Sequence, residues 1–321
     1  MTDSMSASFY PKDFIETAEG LLFAVVAHDL EQDKVLCFLR YANESSGWRK
    51  YATVAANDLL AQTYPYYLHY SPALDVALHA VPLNRLVNHH RPALRLLQIL
   101  QAAAPSDGVE ADLLALCQLF QREGLDLNLF GITGSLLIGA QTSDSDIDLV
   151  CYHRPSFQHC RNLIPQLIAQ GDLGALTEQD WRQSYARRDC ALSYLDYVWH
   201  EQRKFNKAMI NGRKFDLSLV DTASQYRPLC YHKHRAMTLC CRVIDASGAF
   251  TYPAEYKVDD EKIDAVVSFT ATYVGQAWEG ELIEAAGILE QSELGGFRLV
   301  VGGSREAYGE YIKVLRLETL L

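Results

Sequence analysis

Residues 125–152 read LDLNLFGITGSLLIGAQTSDSDIDLVCY. An apolar run ends at Gly134-Ser135, a short apolar stretch follows, and a polar loop leads into Asp146-Ile147-Asp148-Leu149-Val150. The order is strand, turn, short helix, strand. Side chains alternate across a strand, so Asp146 and Asp148 are predicted to share one face while Ile147 and Leu149 enter the core. Glycine at 134 permits a tight turn and a close approach of backbone.

Downstream, Met209–Ile210, Asn211-Gly212 and Arg213–Val220 read as a β-hairpin, because Asn-Gly is the preferred two-residue turn. Asp216 lies on its second strand, 68 positions after Asp148, and the same alternation turns Phe215 and Leu217 inward. If the two strands are neighbours, three carboxylates converge, and they repel one another unless cations sit between them. Hard oxygen ligands suit Mg²⁺, with Mn²⁺ as the alternative. Two such ions clamp the attacking and leaving oxygens of an in-line phosphoryl displacement. The Gly-Ser turn, at a helix start, offers backbone N–H groups to a triphosphate.

Gly134, Ser135, ten intervening residues, Asp146-Ile147-Asp148-Leu149 and a later Phe215-Asp216-Leu217 together resemble the signature of the DNA polymerase β-like nucleotidyltransferase superfamily. The resemblance covers about 108–220, roughly a third of the chain. With flanks such as RLVVGGSREAYGEYIKVL, the arrangement looks like the stand-alone predicted nucleotidyltransferases of archaea and bacteria. It implies transfer of a nucleotidyl group from an NTP, such as ATP, to a hydroxyl-bearing acceptor with release of pyrophosphate. Asp146 and Asp148 would ligate metal. Asp216 would ligate the second metal and assist deprotonation of the acceptor. RNA, a small molecule and a protein all stand as acceptors. The other reading is a non-catalytic nucleotide- or RNA-binding regulatory module.

Competing readings of the same residues fare worse. An EF-hand beginning at Asp144 fails because position 149 is Leu where the calcium loop needs Gly. A glycosyltransferase Asp-x-Asp needs neither the Gly-Ser turn nor a third carboxylate. Cys230, His232, His234 and Cys240 match no standard zinc spacing.

The chain has 321 residues, 49% hydrophobic and 21% charged, with net charge −11. That is an ordinary globular composition and argues against a generally basic nucleic-acid coat. The charge is uneven, however. Between Arg182 and Arg242 twelve basic residues face five acidic ones, a local balance of +7 that would attract a triphosphate or RNA. Arg203, Lys204 and Lys207 fall at i, i+1 and i+4 of a predicted helix and are expected to bind the nucleotide.

The remaining chain sets the frame. Residues 1–82 are expected to be β-rich, with Leu21–Ala27 and Lys34–Tyr41 as a hairpin and Trp48–Val54 as a third strand. The aromatic run Tyr64–Tyr70 reads as core or loop packing. Residues 83–235 are expected to hold a helical lead-in and the nucleotidyltransferase core, with helices from 83, from Leu94, from Asp107 to Gly124, at 157–169 and at 177–207. Residues 236–321 are expected to form a β-rich C-terminal domain, with strands at 236–246, 262–272, 282–290, 297–301 and 308–317. The fold class is α+β. The longest apolar run, Leu21 to Ala27, is far short of the ~20 residues that cross a bilayer. No secretory signal is visible, and eight cysteines without a C-x-x-C pair read as reduced. A cytoplasmic protein with no membrane partner is expected; the oligomeric state is not legible.

Overall fold

The computed structural model describes residues 8–45, 47–188, 190–222, 229–303 and 309–316. Asp189 and Arg227, which contribute to the local charge balance, lie outside the described residues, as do 304–308 of the C-terminal motif. The architecture is α+β, as expected, with six α-helices among the described residues. The chain divides into two compact units: 1–71 with 77–152, and 72–76 with 153–321. This differs from the three expected segments, because one boundary falls at 152, directly after the Asp-Ile-Asp strand.

The first unit contains β1 (Phe14–Thr17), β2 (Leu21–Glu31), β3 (Lys34–Glu44), β4 (Gly47–Lys50), α1 (Thr53–Thr63), β5 (Leu68–Ser71), β6 (Val76–Pro82), β7 (Leu86–His90), α2 (Pro92–Gln101), α3 (Gly108–Arg122), β8 (Phe130–Thr133) and β9 (Ile147–Cys151). Its large sheet has the order β5-β6-β3-β2-β1-β7, with β4 against β3. The β2–β3 turn is tight, with Gln32 and Asp33 both at positive φ. One face buries Ile15, Phe23, Val25, Leu39 and Val81 against Ala56 and Leu60 of α1. Helix α1 is a correction to the β-rich segment expected over 1–82: it buries only Ala56 and Leu60, too few for a visible helical stripe. The strand expected over Trp48–Val54 stops at Lys50. The helix expected from Leu83 is a single 3₁₀ turn, Leu83–Arg85, followed by β7. Pairing with β1 decides that outcome, placing His89 opposite Ile15 and His90 opposite Phe14.

Helix α3 follows its sequence signals. Asp107 Oδ1 accepts from the Val109 and Glu110 N–H groups at 2.9 Å, and Val109, Leu113, Leu116 and Phe120 form the buried stripe. The Glu110 carboxylate turns to the Ser106 N–H and Arg95 rather than back to Asp107.

The second unit contains α4 (Arg154–Gln170), α5 (Glu178–Ala186), α6 (Tyr194–Arg203), β10 (Lys207–Ile210), β11 (Arg213–Leu219), β12 (Tyr231–Asp245), β13 (Ala254–Val258), β14 (Ile263–Ser268), β15 (Leu282–Ser292), β16 (Phe297–Val301) and β17 (Tyr311–Val314). The single helix expected over 177–207 is two helices, because the segment carries two start signals. Thr177 forms a capping box with Asp180, and Ser193 caps α6 by accepting from the Asp196 N–H. The Asn211-Gly212 turn joins β10 to β11 as expected, with both residues at positive φ. The C-terminal strands form a ring, β12-β13-β14-β16-β15, which a β12–β15 pairing closes, with β17 added on β15. The β14–β16 pair is parallel. Val243, Tyr256, Val266, Ile283 and Leu299 belong to its core cluster.

Candidate active site

In the first unit, the Gly-Ser turn and the Asp-Ile-Asp strand form one local structure. Strands β8 and β9 pair antiparallel, with Thr133 opposite Asp148. Ile147 and Leu149 are buried, while Asp146 and Asp148 are half-buried, so the alternation holds. Asp146 precedes the strand, which starts at Ile147. Gly134 has φ +68°, and a Cβ there would stand 2.3 Å from Asp148 Oδ2. The backbone can pass beneath the carboxylate only because position 134 carries no side chain. Ser135 opens a 3₁₀ turn of three residues, Leu136–Ile138, and its side chain makes no capping bond. No α-helix starts here, so any phosphate contact falls to the N–H groups of the turn and not to a helix dipole. Arg95 of α2 holds this turn: its Nε donates to the Leu136 carbonyl at 3.0 Å while Nη2 donates to Glu110 at 2.9 Å.

Asp216 lies in the second unit, on β11. Phe215 and Leu217 are fully buried and Asp216 half-buried. In the β10–β11 hairpin it sits directly opposite Lys207. Lys207 Nζ is 3.7 Å from Asp216 Oδ1, and Lys214 Nζ is 3.9 Å from Oδ2. Asp216 Oδ1 is buried and has no hydrogen-bond partner among the described residues.

The three basic residues expected to bind nucleotide separate into different roles. Arg203 ends α6, Lys204 caps it and Lys207 starts β10, so the predicted common helical face does not exist. Arg203 Nη2 bonds Glu281 at 2.5 Å, and its guanidinium lies 4.4 Å from the Trp199 ring and 5.2 Å from Trp278. Lys204 has only 2% of its side chain exposed, and its ammonium donates to Glu201 at 2.5 Å and to the Thr272 carbonyl at 2.7 Å. These are internal contacts. An acid 78 positions from Arg203 and a backbone carbonyl 68 positions from Lys204 recruit these side chains through tertiary packing. Of the three, only Lys207 reaches a predicted carboxylate.

The electrostatics of this network centre on Glu201. Its carboxylate is buried, which alone would push its pKa up. Lys204, Lys207 and Arg188 outweigh that burial and hold it well below the usual carboxylate range. Burial brings Lys204 down to about 8, against the opposing pull of Glu201. For Lys207 burial acts in the same downward sense, but Glu201 and Asp216 together raise it above an ordinary lysine.

The donor chemistry suits a hard cation. Asp148 is fixed over the turn. Among the described residues, no group of three or more His, Cys, Asp or Glu side chains is gathered so as to hold a metal ion by itself. Mg²⁺ is usually held by one or two carboxylates plus substrate phosphates and waters, so a preformed cage is not required.

Over 336 aligned positions the chain is 32% identical to an uncharacterized protein, MJ1086, of Methanocaldococcus jannaschii. The match spans 95% of this chain and 98% of the relative. The chain belongs to the family of that archaeal protein. No protein-family model matches the chain, and no solved structure matches it.

Sequence reasoning missed three residues that shape these sites: Arg95, Glu201 and Lys214. Glu201 carried a signal, as a lone acid at i, i+3 from Lys204 inside the basic run. Lys214 sits two residues before Asp216, on its face of the strand. Nothing local marks Arg95, whose partners come from a helix and a turn further along the chain.

Proposed function

We propose that the chain is an Mg²⁺-dependent nucleotidyltransferase of the polymerase β-like type, moving NMP from an NTP to an acceptor hydroxyl. The observation that supports this reading best is the position of Asp148 Oδ2 against the side-chain-free Gly134, which ties the phosphate turn to the metal carboxylate. Asp146 and Asp148 would ligate metal, and the resemblance to the superfamily gives Asp216 the role of a further metal ligand. Mg²⁺ held by these carboxylates would supply positive charge to offset that of the transferring phosphoryl group. The turn at Gly134 and Ser135 would bind the triphosphate through its N–H groups. The acceptor oxygen bonds to the α-phosphorus, the bond to the bridging oxygen breaks, pyrophosphate leaves with that oxygen, and Asp216 assists removal of the hydroxyl proton. Eight free cysteines suit a reducing compartment, and the proposal places the protein in the cytoplasm. Among the described residues no helix is long and apolar enough to cross a membrane.

A second reading, a non-catalytic nucleotide- or RNA-binding module, draws on the closed five-stranded ring of the second unit. Small five-stranded barrels bind oligonucleotides on their strand faces and loops. One experiment separates the two. Each of four labelled NTPs is offered with RNA, small-molecule and protein acceptors, and pyrophosphate release is measured for wild type, Asp146→Ala and Asp148→Ala. The enzyme reading expects release by wild type alone, with both variants folded. Unchanged release in either variant rejects the assignment, and metal-independent NTP binding without release favours the module.

A further inference from the structure

We propose that Lys207, anchored by Glu201, is a positioning residue that keeps Asp216 charge-compensated yet open to a cation. This rests on the reading of Asp216 as a metal ligand. Asp216 Oδ1 is buried and accepts no hydrogen bond from the described residues, although Lys207 Nζ is 3.7 Å away and Lys214 Nζ stands 3.9 Å from Oδ2. Both ammonium groups lie within ion-pair range and beyond the ~3.2 Å of a hydrogen bond. The carboxylate therefore has its charge offset while its lone pairs on Oδ1 remain unfilled. An unfilled buried acceptor in a folded protein points to a missing partner such as an ion.

What prevents Lys207 from closing onto Asp216 is Glu201. Lys207 Nζ bonds Glu201 Oε2, and Glu201 is itself fixed by Lys204 Nζ, 2.5 Å from Oε1. Lys204 is tied in turn to the Thr272 carbonyl at 2.7 Å. Thr272, Lys204, Glu201 and Lys207 form a chain of contacts that ends one step short of Asp216. A lysine free to move would be expected to take the lone pair itself, since charge-assisted hydrogen bonds are short and strong. Held back, it supplies positive potential without occupying the oxygen.

The test uses Mn²⁺ alone, titrated into the full chain and followed by the electron paramagnetic resonance of the free ion. Wild type is compared with Lys207→Met, Lys207→Gln, Lys207→Arg and Asp216→Asn. Removing a unit positive charge beside the carboxylate is expected to tighten Mn²⁺ binding about tenfold in Lys207→Met and Lys207→Gln. Lys207→Arg is expected to restore the wild-type affinity, and Asp216→Asn to lose the site. A purely structural role would not produce tighter binding on removal of a side chain. If the uncharged variants bind as wild type does, or more weakly, while Asp216→Asn still loses the ion, the positioning role is wrong and the metal-ligand reading survives. If Asp216→Asn binds as wild type does, or wild type binds no Mn²⁺, both fall. Two uncharged side chains of different packing keep the result readable should one fail to fold.

Discussion

Asp148 Oδ2 stands 2.3 Å from the point that a Cβ on Gly134 would occupy. The carboxylate and the turn thus share one space, and neither can be altered alone. Gly134→Ala meets two penalties: a left-handed φ of +68°, worth about 1–2 kcal/mol for a residue with a Cβ, and displacement of Asp148. The variant is expected to lower the melting temperature and, on the proposed function, to lose pyrophosphate release. A melting temperature equal to wild type would show that the turn can relax.

Glu201 pairs with both Lys204 and Lys207, and each of those pairs has little access to water. Removing one partner of a buried ion pair costs about 3–5 kcal/mol, because the other charge is left uncompensated. Urea unfolding of Glu201→Ala is expected to show a loss of that order. Glu178→Ala, which breaks an exposed i, i+4 pair with Arg182, is expected to cost about 1 kcal/mol or less. Equal losses in the two variants would contradict the burial argument.

His200 is buried and neutral. Its Nδ1 donates to the Asp196 carbonyl at 2.6 Å, and its Nε2 accepts from the Val314 N–H at 3.1 Å. Burial lowers its pKa from 6.5 to about 4, with Lys204 and Arg203 acting in the same sense and Asp196 opposing. The unfolded chain therefore binds more protons between pH 6.5 and 4. Stability is fully present above 6.5 and falls as pH drops through that window, by on the order of 3 kcal/mol for this group. The carboxylate of Asp196, held low by Lys313, Ser193 and Arg316 despite its burial, adds loss of the same sign at lower pH. Unfolding followed from pH 7 to 4 should show this slope, and His200→Gln should remove most of it above pH 5. An unchanged slope would mean that His200 is not its source.

Arg203 is a structural residue in this fold. Its guanidinium lies over Trp199 and Trp278 and bonds Glu281. Arg203→Ala is expected to cost about 2 kcal/mol, from the lost ion pair and stacking, and to shift the tryptophan fluorescence. On the proposed function, nucleotide affinity measured by calorimetry should stay at the wild-type value. A stable variant with weakened nucleotide binding would restore the expectation drawn from the charge pattern.

The sequence by itself determined the local features. Alternation placed Ile147, Leu149, Phe215 and Leu217 in the core and left Asp146, Asp148 and Asp216 half-buried. Asp107 marked the start of α3 and Asn211-Gly212 the turn of the β10–β11 hairpin. These signals act over a few residues, through strand pleat, capping bonds and turn dihedrals, so a linear reading recovers them. Tertiary structure decided the rest. Leu83–His90 has an apolar spacing that fits a helix, yet most of it is strand, because β1 offers an unpaired edge to bond with. Arg203, Lys204 and Lys207 look alike in a charge count. They differ because Glu281, Thr272 and Asp216 meet them from distant positions. A long cationic side chain takes whatever acid, carbonyl or ring the fold brings within reach, and that neighbour is not written in the residues beside it.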